Sequence, residues 1–238
     1  MKSISLREIG TMRTLQIASL GVALLCAPPV WANLIQNGSF ETPLVPISGA
    51  STFGAGSSAI TGWTVVGFDV AVISGTFAQS GIAFQAKDGV QWADLSGTAS
   101  NSKSNGLTQQ VATTAGSVYE LNFNVGSATD NSLFFAATAD LSINGGARTP
   151  YANPTAPTNM LDWKPFTVQF TATSAHTNIT FFNGSEGTNF STGLDNVSLT
   201  QLTAAVPEPE SYAMMGTGLA LIGWVARRRR KWHNSAGL

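Results

Sequence analysis

The middle of the chain alternates between apolar and polar residues with a period of two. In the stretch SVYELNFNV, Tyr119, Leu121, Phe123 and Val125 fall on one face of an extended chain, and polar residues fall on the other. The stretch KPFTVQFTA repeats the alternation from Phe166 onward. A period of two is the signature of a strand with one buried face. Both stretches are therefore predicted to be β-strands.

Seven shorter apolar runs extend this pattern, separated by turn pairs such as Asn-Gly, Asp-Gly and Gly-Gly. In chain order they are ITGWTVV, FDVAVI, VQWADL, LTQQVA, ADLSIN, TNITFF and LDNVSLTQL. No stretch among them has a convincing 3.6-residue period, and the abundance of Gly, Ser, Thr and Asn is typical of β-proteins. Many short strands with glycine-rich turns predict an all-β fold of two packed sheets.

The first 32 residues follow a different pattern. Three basic residues precede the apolar run LQIASLGVALLC, and the small-residue exit APPVWA follows it. This order is that of a secretory signal peptide, so we predict export and cleavage between Ala32 and Asn33. A start at Met12 would give a more compact signal than a start at Met1.

Cys26 is the only cysteine, and it lies inside this signal segment. A lipoprotein attachment site would need a small residue before the cysteine, whereas Leu25 stands there. We therefore expect Cys26 to be an unmodified residue of the apolar run. The exported chain then has no thiol, and its core must hold the fold without a disulfide.

A second apolar stretch, residues 212–226, is followed by a basic cluster at 227–231. As a helix it would be roughly 22 Å long, which is shorter than the roughly 30 Å hydrocarbon core of a bilayer. The basic cluster would stay on the cytoplasmic side. The alternative is a buried core helix, but four consecutive arginines point all round a helix. We predict a single, marginal membrane helix.

These residues and those before them resemble the PEP-CTERM sorting signal. The matching residues are Val206, Pro207, Glu208 and Pro209, then a Gly-Leu-Ala-Leu-Ile-Gly centre, then Arg227, Arg228, Arg229 and Arg230. The signal marks exported proteins of Gram-negative bacteria that make exopolysaccharide, in which an exosortase recognises Pro-Glu-Pro and processes the anchor. For residues 206–238 the resemblance implies an exosortase as partner and transient anchoring in the inner membrane. It also implies a final place at the cell surface or in the extracellular matrix.

Residues 33–205 remain as a single domain of roughly 170 residues. They contain four basic and ten acidic residues, a net charge of −6, although the whole chain has a net charge of only −1. An acidic surface with few basic side chains argues against nucleic acid or anionic lipid as a partner. It suits an extracellular protein, and acidic side chains can also hold a cation.

The order of phrases along this domain resembles that of the galactose-binding-like jelly rolls. NLIQNGSFETP opens the domain, and ITGWTVV, KDGVQWADLSG, LTQQVATTAGSVYELNFNVG, DWKPFTVQFTA and GLDNVSLTQL follow. That group includes carbohydrate-binding modules and a family of unknown function that is abundant in plant cell walls. The resemblance implies a two-sheet jelly-roll sandwich of the eight-stranded type, and it makes glycan binding an expectation rather than a conclusion.

Two carboxylates match positions that help to bind a structural calcium in such jelly rolls. Glu41 ends NGSFE after the first expected strand, and Asp195 opens the last strand in GLDNVSL. Calcium takes six to eight oxygen ligands, which two carboxylates and backbone carbonyls could supply. The alternative is that both side chains merely accept hydrogen bonds from backbone N–H groups at turns.

Nothing in the domain matches a hydrolase motif. His176, its one histidine, is expected to be a turn residue before a strand. Asp88, Asp94 and Glu120 could act as a glycosidase pair only if the fold brought two of them together. We predict no enzymatic activity and a surface or matrix role. A dedicated carbohydrate-binding module and a glycan-acting hydrolase are the alternatives.

Three tryptophans could stack on sugar rings: Trp63, Trp92 and Trp163. Each lies within or beside a predicted strand among apolar neighbours. Core packing is therefore the expected role of all three.

Overall fold

The computed structural model describes residues 32–128, 137–155, 159–185, 192–203, 215–224 and 227. The predicted signal peptide up to residue 31, the Pro-Glu-Pro at 207–209 and the arginines at 228–230 lie outside these residues.

The described residues form thirteen strands and a helix, α1, at 215–224. The strands are β1 (Ala50–Gly54), β2 (Thr64–Val66), β3 (Asp69–Ser74), β4 (Ala78–Gln79), β5 (Ile82–Ala83), β6 (Gln91–Asp94), β7 (Gly106–Ala112), β8 (Val118–Ser127), β9 (Ala137–Ile143), β10 (Thr149–Asn153), β11 (Asp162–Thr171), β12 (His176–Asn183) and β13 (Gly193–Thr203). Each of the nine runs predicted from the sequence overlaps one of these strands.

Eleven of the strands form two antiparallel sheets. One has the order β1-β3-β6-β13-β8-β11 and the other β10-β9-β12-β7-β2, while β4 and β5 form a separate hairpin. This is the predicted two-sheet sandwich, with more strands than the eight expected. The sequence missed four strands, β1, β4, β5 and β10. Of these, β1 and β10 are short edge strands with one large apolar residue each, Phe53 and Tyr151, packed against the core.

The main core lies between the two sheets. The predicted apolar face of β8 is buried there, and Phe123 is at its centre. Its ring centroid lies 4.9 Å from that of Phe181 and 5.6 Å from that of Phe166. Phe166, Val168 and Phe170 of β11 pack on the same core but are only partly buried, because β11 is an edge strand.

A second apolar cluster, the outer core, covers part of the opposite face of the six-stranded sheet. Its members are Ala71, Ile73, Ile82, Phe84, Trp92 and Leu161, with Phe77 and Trp163 packed at its border. Strand β3 is buried along its whole length because Val70 and Val72 face the main core while Ala71 and Ile73 face the outer core. The segment 77–86, which includes the β4–β5 hairpin, forms the cover.

Two glycines let Trp163 extend the outer core onto β11. A Cβ atom at Gly126 would lie 2.8 Å from the Trp163 ring, and one at Gly193 would lie 3.0 Å from it. The ring packs edge-on against Trp92, with 5.9 Å between centroids, and its Nε1 donates to Gln85 O at 2.9 Å. Any larger residue at either glycine would displace the indole.

The expectation of a first strand ending at Glu41 is wrong. Residues 33–41 form bends and turns, and Asn37 and Phe40 have φ values of +53° and +58°, a region in which no strand continues. In the middle of this segment, the backbone of Gln36 is paired with a side-chain amide instead of a neighbouring strand. Gln109 Oε1 accepts from Gln36 N at 2.8 Å, and Gln109 Nε2 donates to Gln36 O at 2.9 Å.

This N-terminal segment nevertheless runs antiparallel to β13. Leu34 N donates to Leu199 O at 2.8 Å, and Val197 N donates to Gly38 O at 2.9 Å. Asn33 Oδ1 accepts from Leu199 N at 2.9 Å. The first and last parts of the domain are therefore neighbours.

Helix α1 covers ten residues of the membrane segment that was predicted at 212–226. Its large apolar side chains are exposed: Met215, Leu219, Leu221, Ile222 and Trp224. None of the helical residues that the structure describes belongs to a helix with the length and apolarity needed to span a bilayer.

Candidate functional site

Asp195 holds the first half of residues 87–91, which we call the clamped loop. Its Oδ2 accepts from the backbone N–H groups of Lys87 at 2.7 Å and Asp88 at 3.0 Å. Its Oδ1 accepts from Asn196 N at 2.7 Å. The side chain is fully buried, and hydrogen bonds from N–H groups to a carboxylate are among the stronger ones in proteins. Asp195 thus fixes the loop to β13.

Glu41 holds the second half of the clamped loop. Its Oε1 accepts from Val90 N at 2.9 Å and Gln91 N at 3.1 Å. Gly89 lies between the residues bound by Asp195 and those bound by Glu41. It has a φ of +69°, and a Cβ there would lie 2.2 Å from Glu41 Oε1. Only glycine fits such a close approach at this backbone angle. The two carboxylates singled out from the sequence therefore meet on one loop.

Gln91 holds the segment that carries Glu41. Its Nε2 donates to the carbonyls of Phe40 and Pro43, the latter at 2.7 Å. Its Oε1 accepts from Val45 N at 3.0 Å. Glu41 thus accepts hydrogen bonds from the clamped loop, and Gln91 of that loop binds the segment that carries Glu41. These reciprocal hydrogen bonds fix the position of the Glu41 carboxylate.

Burial raises the pKa of Asp195 to about 7. The largest cause is desolvation of the charged form, and the nearby Asp88 carboxylate raises the pKa further, whereas the N–H groups of Asp88, Asn196 and Lys87 lower it. Asp88 itself accepts from Ser39 Oγ at 2.5 Å. A cation beside Asp195 would lower the free energy of its charged form.

The atoms at the clamped loop suit a hard cation in their chemistry. A carboxylate can accept about four hydrogen bonds. Asp195 accepts three, from the clamped loop and Asn196, and Glu41 accepts two from the clamped loop. Among the described residues no group of three or more His, Cys, Asp and Glu could hold a metal. Further ligands of a cation here would be backbone carbonyls and water, which calcium accepts.

Two of the three tryptophans weighed as sugar platforms, Trp63 and Trp92, pack in the interior as expected. Trp63 lies in the main core with its Nε1 donating to Asn37 O at 3.1 Å, and Trp92 lies in the outer core with its Nε1 donating to Phe84 O at 3.0 Å. Trp163 is partly buried at the border of the outer core. His176 is exposed at the first position of β12.

The three carboxylates weighed as a glycosidase pair have separate surroundings. Asp94, at the end of β6, is buried and accepts from Thr192 N at 3.1 Å. Glu120 lies on β8 and accepts from Gln169 Nε2 at 3.0 Å. Asp88 belongs to the clamped loop. The hydrogen bonds of Asp94 and Glu120 tie each of them to a neighbouring part of its own sheet.

Residues 33–200 match a family described as protein of unknown function, DUF642. The chain belongs to the DUF642 family. The matched region starts at Asn33, the residue predicted to follow signal cleavage, and it contains Glu41, the clamped loop and Asp195. The DUF642 domain is thus the β-sandwich described above.

Residues 205–230 match the PEP-CTERM protein-sorting motif. This confirms the resemblance seen in the sequence and includes the residues from Val206 to Pro209 and from Arg227 to Arg230. The motif identifies an exported protein.

Among solved structures, the DUF642 domain is similar to the CBM22-1 xylan-binding domain from Paenibacillus barcinonensis Xyn10C, with 17% identity, a TM-score of 0.41 and coverage of 67% of this chain and 97% of that one. An exo-β-1,3-galactanase from Phanerochaete chrysosporium is similar at 16% identity and a TM-score of 0.39, over 63% of this chain. The match spans 29% of the galactanase. A search of curated proteins finds no match.

One buried carboxylate of the DUF642 domain was missed in the sequence. Asp69 Oδ2 accepts from Thr98 N at 2.8 Å and Ala99 N at 3.0 Å, and a Cβ at Gly97 would lie 2.5 Å from its Oδ1. Asp69 holds its loop as Asp195 holds the clamped loop. The only sequence signal is an aspartate at the head of the buried run FDVAVI. Its partners are backbone groups, which no residue pattern reveals.

Proposed function

We propose that this DUF642 protein works outside the cell, at the surface or in the matrix of an exopolysaccharide-producing Gram-negative bacterium, as a non-catalytic, glycan-binding protein. One observation supports the location above all. The PEP-CTERM motif begins five residues after the DUF642 match ends. The chain thus places one folded domain directly before a sorting signal. An exosortase is the proposed processing enzyme, and the inner membrane is the transient anchor.

Mass spectrometry of the exported protein tests processing. We expect a mature N-terminus at Asn33 and a C-terminus near Pro207–Glu208–Pro209. Replacing Pro207 and Pro209 by alanine should leave an unprocessed form in the membrane fraction, whereas Pro154→Ala, outside the motif, should be processed normally. An intact N-terminus at Met1 or Met12 on protein recovered from the cytoplasm would contradict the proposal.

The proposal of a non-catalytic role is supported by what the buried carboxylates do. Asp69, Asp94 and Asp195 each accept hydrogen bonds from backbone N–H groups of a loop. These contacts give each of them a structural task. Incubation with polysaccharides and measurement of reducing ends checks the proposal, because release far above the rate in buffer alone would show a hydrolase.

Glycan binding is supported by the resemblance to galactose-binding-like jelly rolls and by the charge of the domain. A net charge of −6 disfavours nucleic acid and other polyanions as ligands. A glycan array separates a dedicated carbohydrate-binding module, which would bind one glycan class selectively, from a matrix protein with broad, weak retention. Binding to no glycan would reject both forms of the proposal.

We also propose a structural calcium ion at the clamped loop, with Glu41 and Asp195 as its carboxylate ligands. The raised pKa of Asp195 supports it, because a buried carboxylate that is poorly stabilised as an anion gains most from a cation. Bound calcium would hold the N-terminal segment, the loop and β13 together.

A further inference from the structure

One row of residues crosses every strand of the five-stranded sheet. The strand register pairs Val66 with Gly106, Gly106 with Phe182, Phe182 with Asp140, and Asp140 with Pro150. We call these five residues the sheet row. At about 4.8 Å between neighbouring strands, the row is roughly 19 Å long. An extended oligosaccharide could lie along it.

The sheet row lies on the outer face of the sandwich. Residues next to it along three strands, Leu107, Leu141 and Phe181, are buried in the main core. Since successive side chains of a strand point to opposite faces, the members of the row point away from that core. Nothing comparable to the outer core covers this face among the described residues, since the outer core packs on the other sheet.

Phe182, at the centre of the row, is covered by one side chain from the edge of the sheet. The guanidinium carbon of Arg148 lies 3.5 Å from the ring centroid, and Arg148 Nη1 donates to Lys103 O at 2.7 Å. A guanidinium carries five N–H donors in a fixed plane. On one side of Phe182 stands Gly106, without a side chain, and on the other stands Asp140, whose carboxylate accepts hydrogen bonds.

A second aromatic side chain, Phe68, lies in the link that leads from the end of β2 to β3. Phe68 follows Val66 by two residues and is 69% exposed. Its backbone is fixed, because Phe68 N donates at 3.0 Å to Oδ1 of Asn105, the residue before Gly106. A large apolar ring held in water on a fixed backbone is an informative departure from the usual burial of phenylalanine.

We propose that the sheet row, together with Phe68 and Arg148, binds a neutral glycan chain that lies across the strands. The exposed ring of Phe68 offers apolar surface to the C–H faces of sugars, the Arg148 guanidinium that stacks on Phe182 donates to hydroxyl oxygens, and Asp140 accepts from hydroxyl groups. The net charge of −6 and the carboxylate within the row disfavour a polyanionic ligand. This inference rests on the proposed glycan binding and gives it a location.

The test uses the full-length chain in mild detergent and affinity electrophoresis in gels that contain laminarin, xylan, β-1,3-galactan or polygalacturonate. We expect at least one of the three neutral polysaccharides to retard the protein. Phe68→Ala and Arg148→Gln should each weaken that retention about tenfold in apparent Kd, as removal of a central contact does. Both side chains are exposed, so the variants should fold, which circular dichroism would verify.

Two matched variants serve as controls. Lys164→Gln removes the cation that lies 5.2 Å from the Phe166 ring on the other sheet, and Ile47→Ala removes an apolar side chain that is 86% exposed. Neither should change retention.

Unchanged retention of Phe68→Ala and Arg148→Gln, with binding by the unaltered chain, would overturn the site and leave the proposed function standing. Retention by polygalacturonate alone would overturn the neutral class. If none of the three neutral polysaccharides retards the unaltered chain, the site is rejected, and a glycan array that is also negative rejects the proposed function.

Discussion

The two sheets share one core but differ on their outer faces. On the six-stranded sheet, the chain folds its own segment 77–86 over Trp92 and Ile73 and buries them in the outer core. On the five-stranded sheet, Phe182 is covered by the single side chain of Arg148. Apolar surface that a chain buries under its own backbone contributes to stability. Surface under an exposed side chain stays accessible to a ligand that binds beside or in place of that side chain.

The largest expected effect concerns the sealed face. Trp92→Ala should lower the free energy of unfolding by about 3–5 kcal/mol, because it leaves a cavity in a buried aromatic cluster. Phe182→Ala, on the open face, should cost clearly less, since its ring is only partly buried. Urea unfolding of both variants measures the difference, and equal losses would contradict the distinction between the faces.

The next effect concerns calcium at the clamped loop, which continues the segment that seals the outer core. Calcium at a hundredfold excess over its Kd would stabilise the folded chain by about 2.7 kcal/mol. Chelation should therefore lower the melting temperature by roughly several degrees. Glu41→Ala and Asp195→Ala should abolish this sensitivity, whereas Glu120→Ala, on the same sheet, should retain it. An unchanged melting curve and no calcium in metal analysis would mean that the two carboxylates only cap backbone N–H groups.

A third effect is the pH dependence of the chelated protein. The pKa of Asp195 is raised on folding to about 7, so protonated Asp195 stabilises the fold at low pH and this contribution is lost as the pH rises through 7. The free energy of unfolding should fall by roughly 2 kcal/mol between pH 5.5 and 7.5. Asp195→Asn should remove this slope even though it lowers the starting stability. A slope that persists in Asp195→Asn would assign the titration to another group.

The smallest effect on stability belongs to Arg148. An exposed cation–π contact contributes about 0.5–1 kcal/mol, so Arg148→Gln should barely shift the midpoint of urea unfolding. Its effect on glycan retention should be far larger. A loss of stability as great as that of Trp92→Ala would show that Arg148 is a structural cover and not a binding residue.

Most of the fold could be predicted because alternation records which face of a strand is buried. It identified β8 and β11 directly. Alternation gave the wrong result for the segment 33–41. There the side chain of Gln109, not a neighbouring strand, forms hydrogen bonds with the backbone of Gln36. A side-chain partner of this kind produces no alternation of apolar and polar residues. Alternation also missed β1 and β10, because each of these two edge strands has only one large apolar residue that packs against the core.

The clamped loop and the sheet row also differ in how far the sequence could predict them. Glu41 and Asp195 could be predicted as site residues because a resemblance supplied their positions. The resemblance did not supply their hydrogen bonds to residues 87–91. The sheet row and its neighbours could not be predicted, since Phe68, Arg148 and Phe182 belong to three distant stretches of the sequence. In TNITFF, moreover, the adjacent Phe181 and Phe182 give no sign of which one faces the core. Only the strand register assigns Phe182 to the outer face.

The antiparallel course of the N-terminal segment along β13 has a consequence for the proposed anchoring at a membrane. Leu34 lies opposite Leu199 and Gly38 opposite Val197, so Asn33 and Thr203 leave the sandwich at the same pole. The signal-cleavage position and the path toward the sorting motif therefore share one attachment point. If the chain is processed as proposed at both positions, either terminus that remains uncleaved would tether the domain by that same pole.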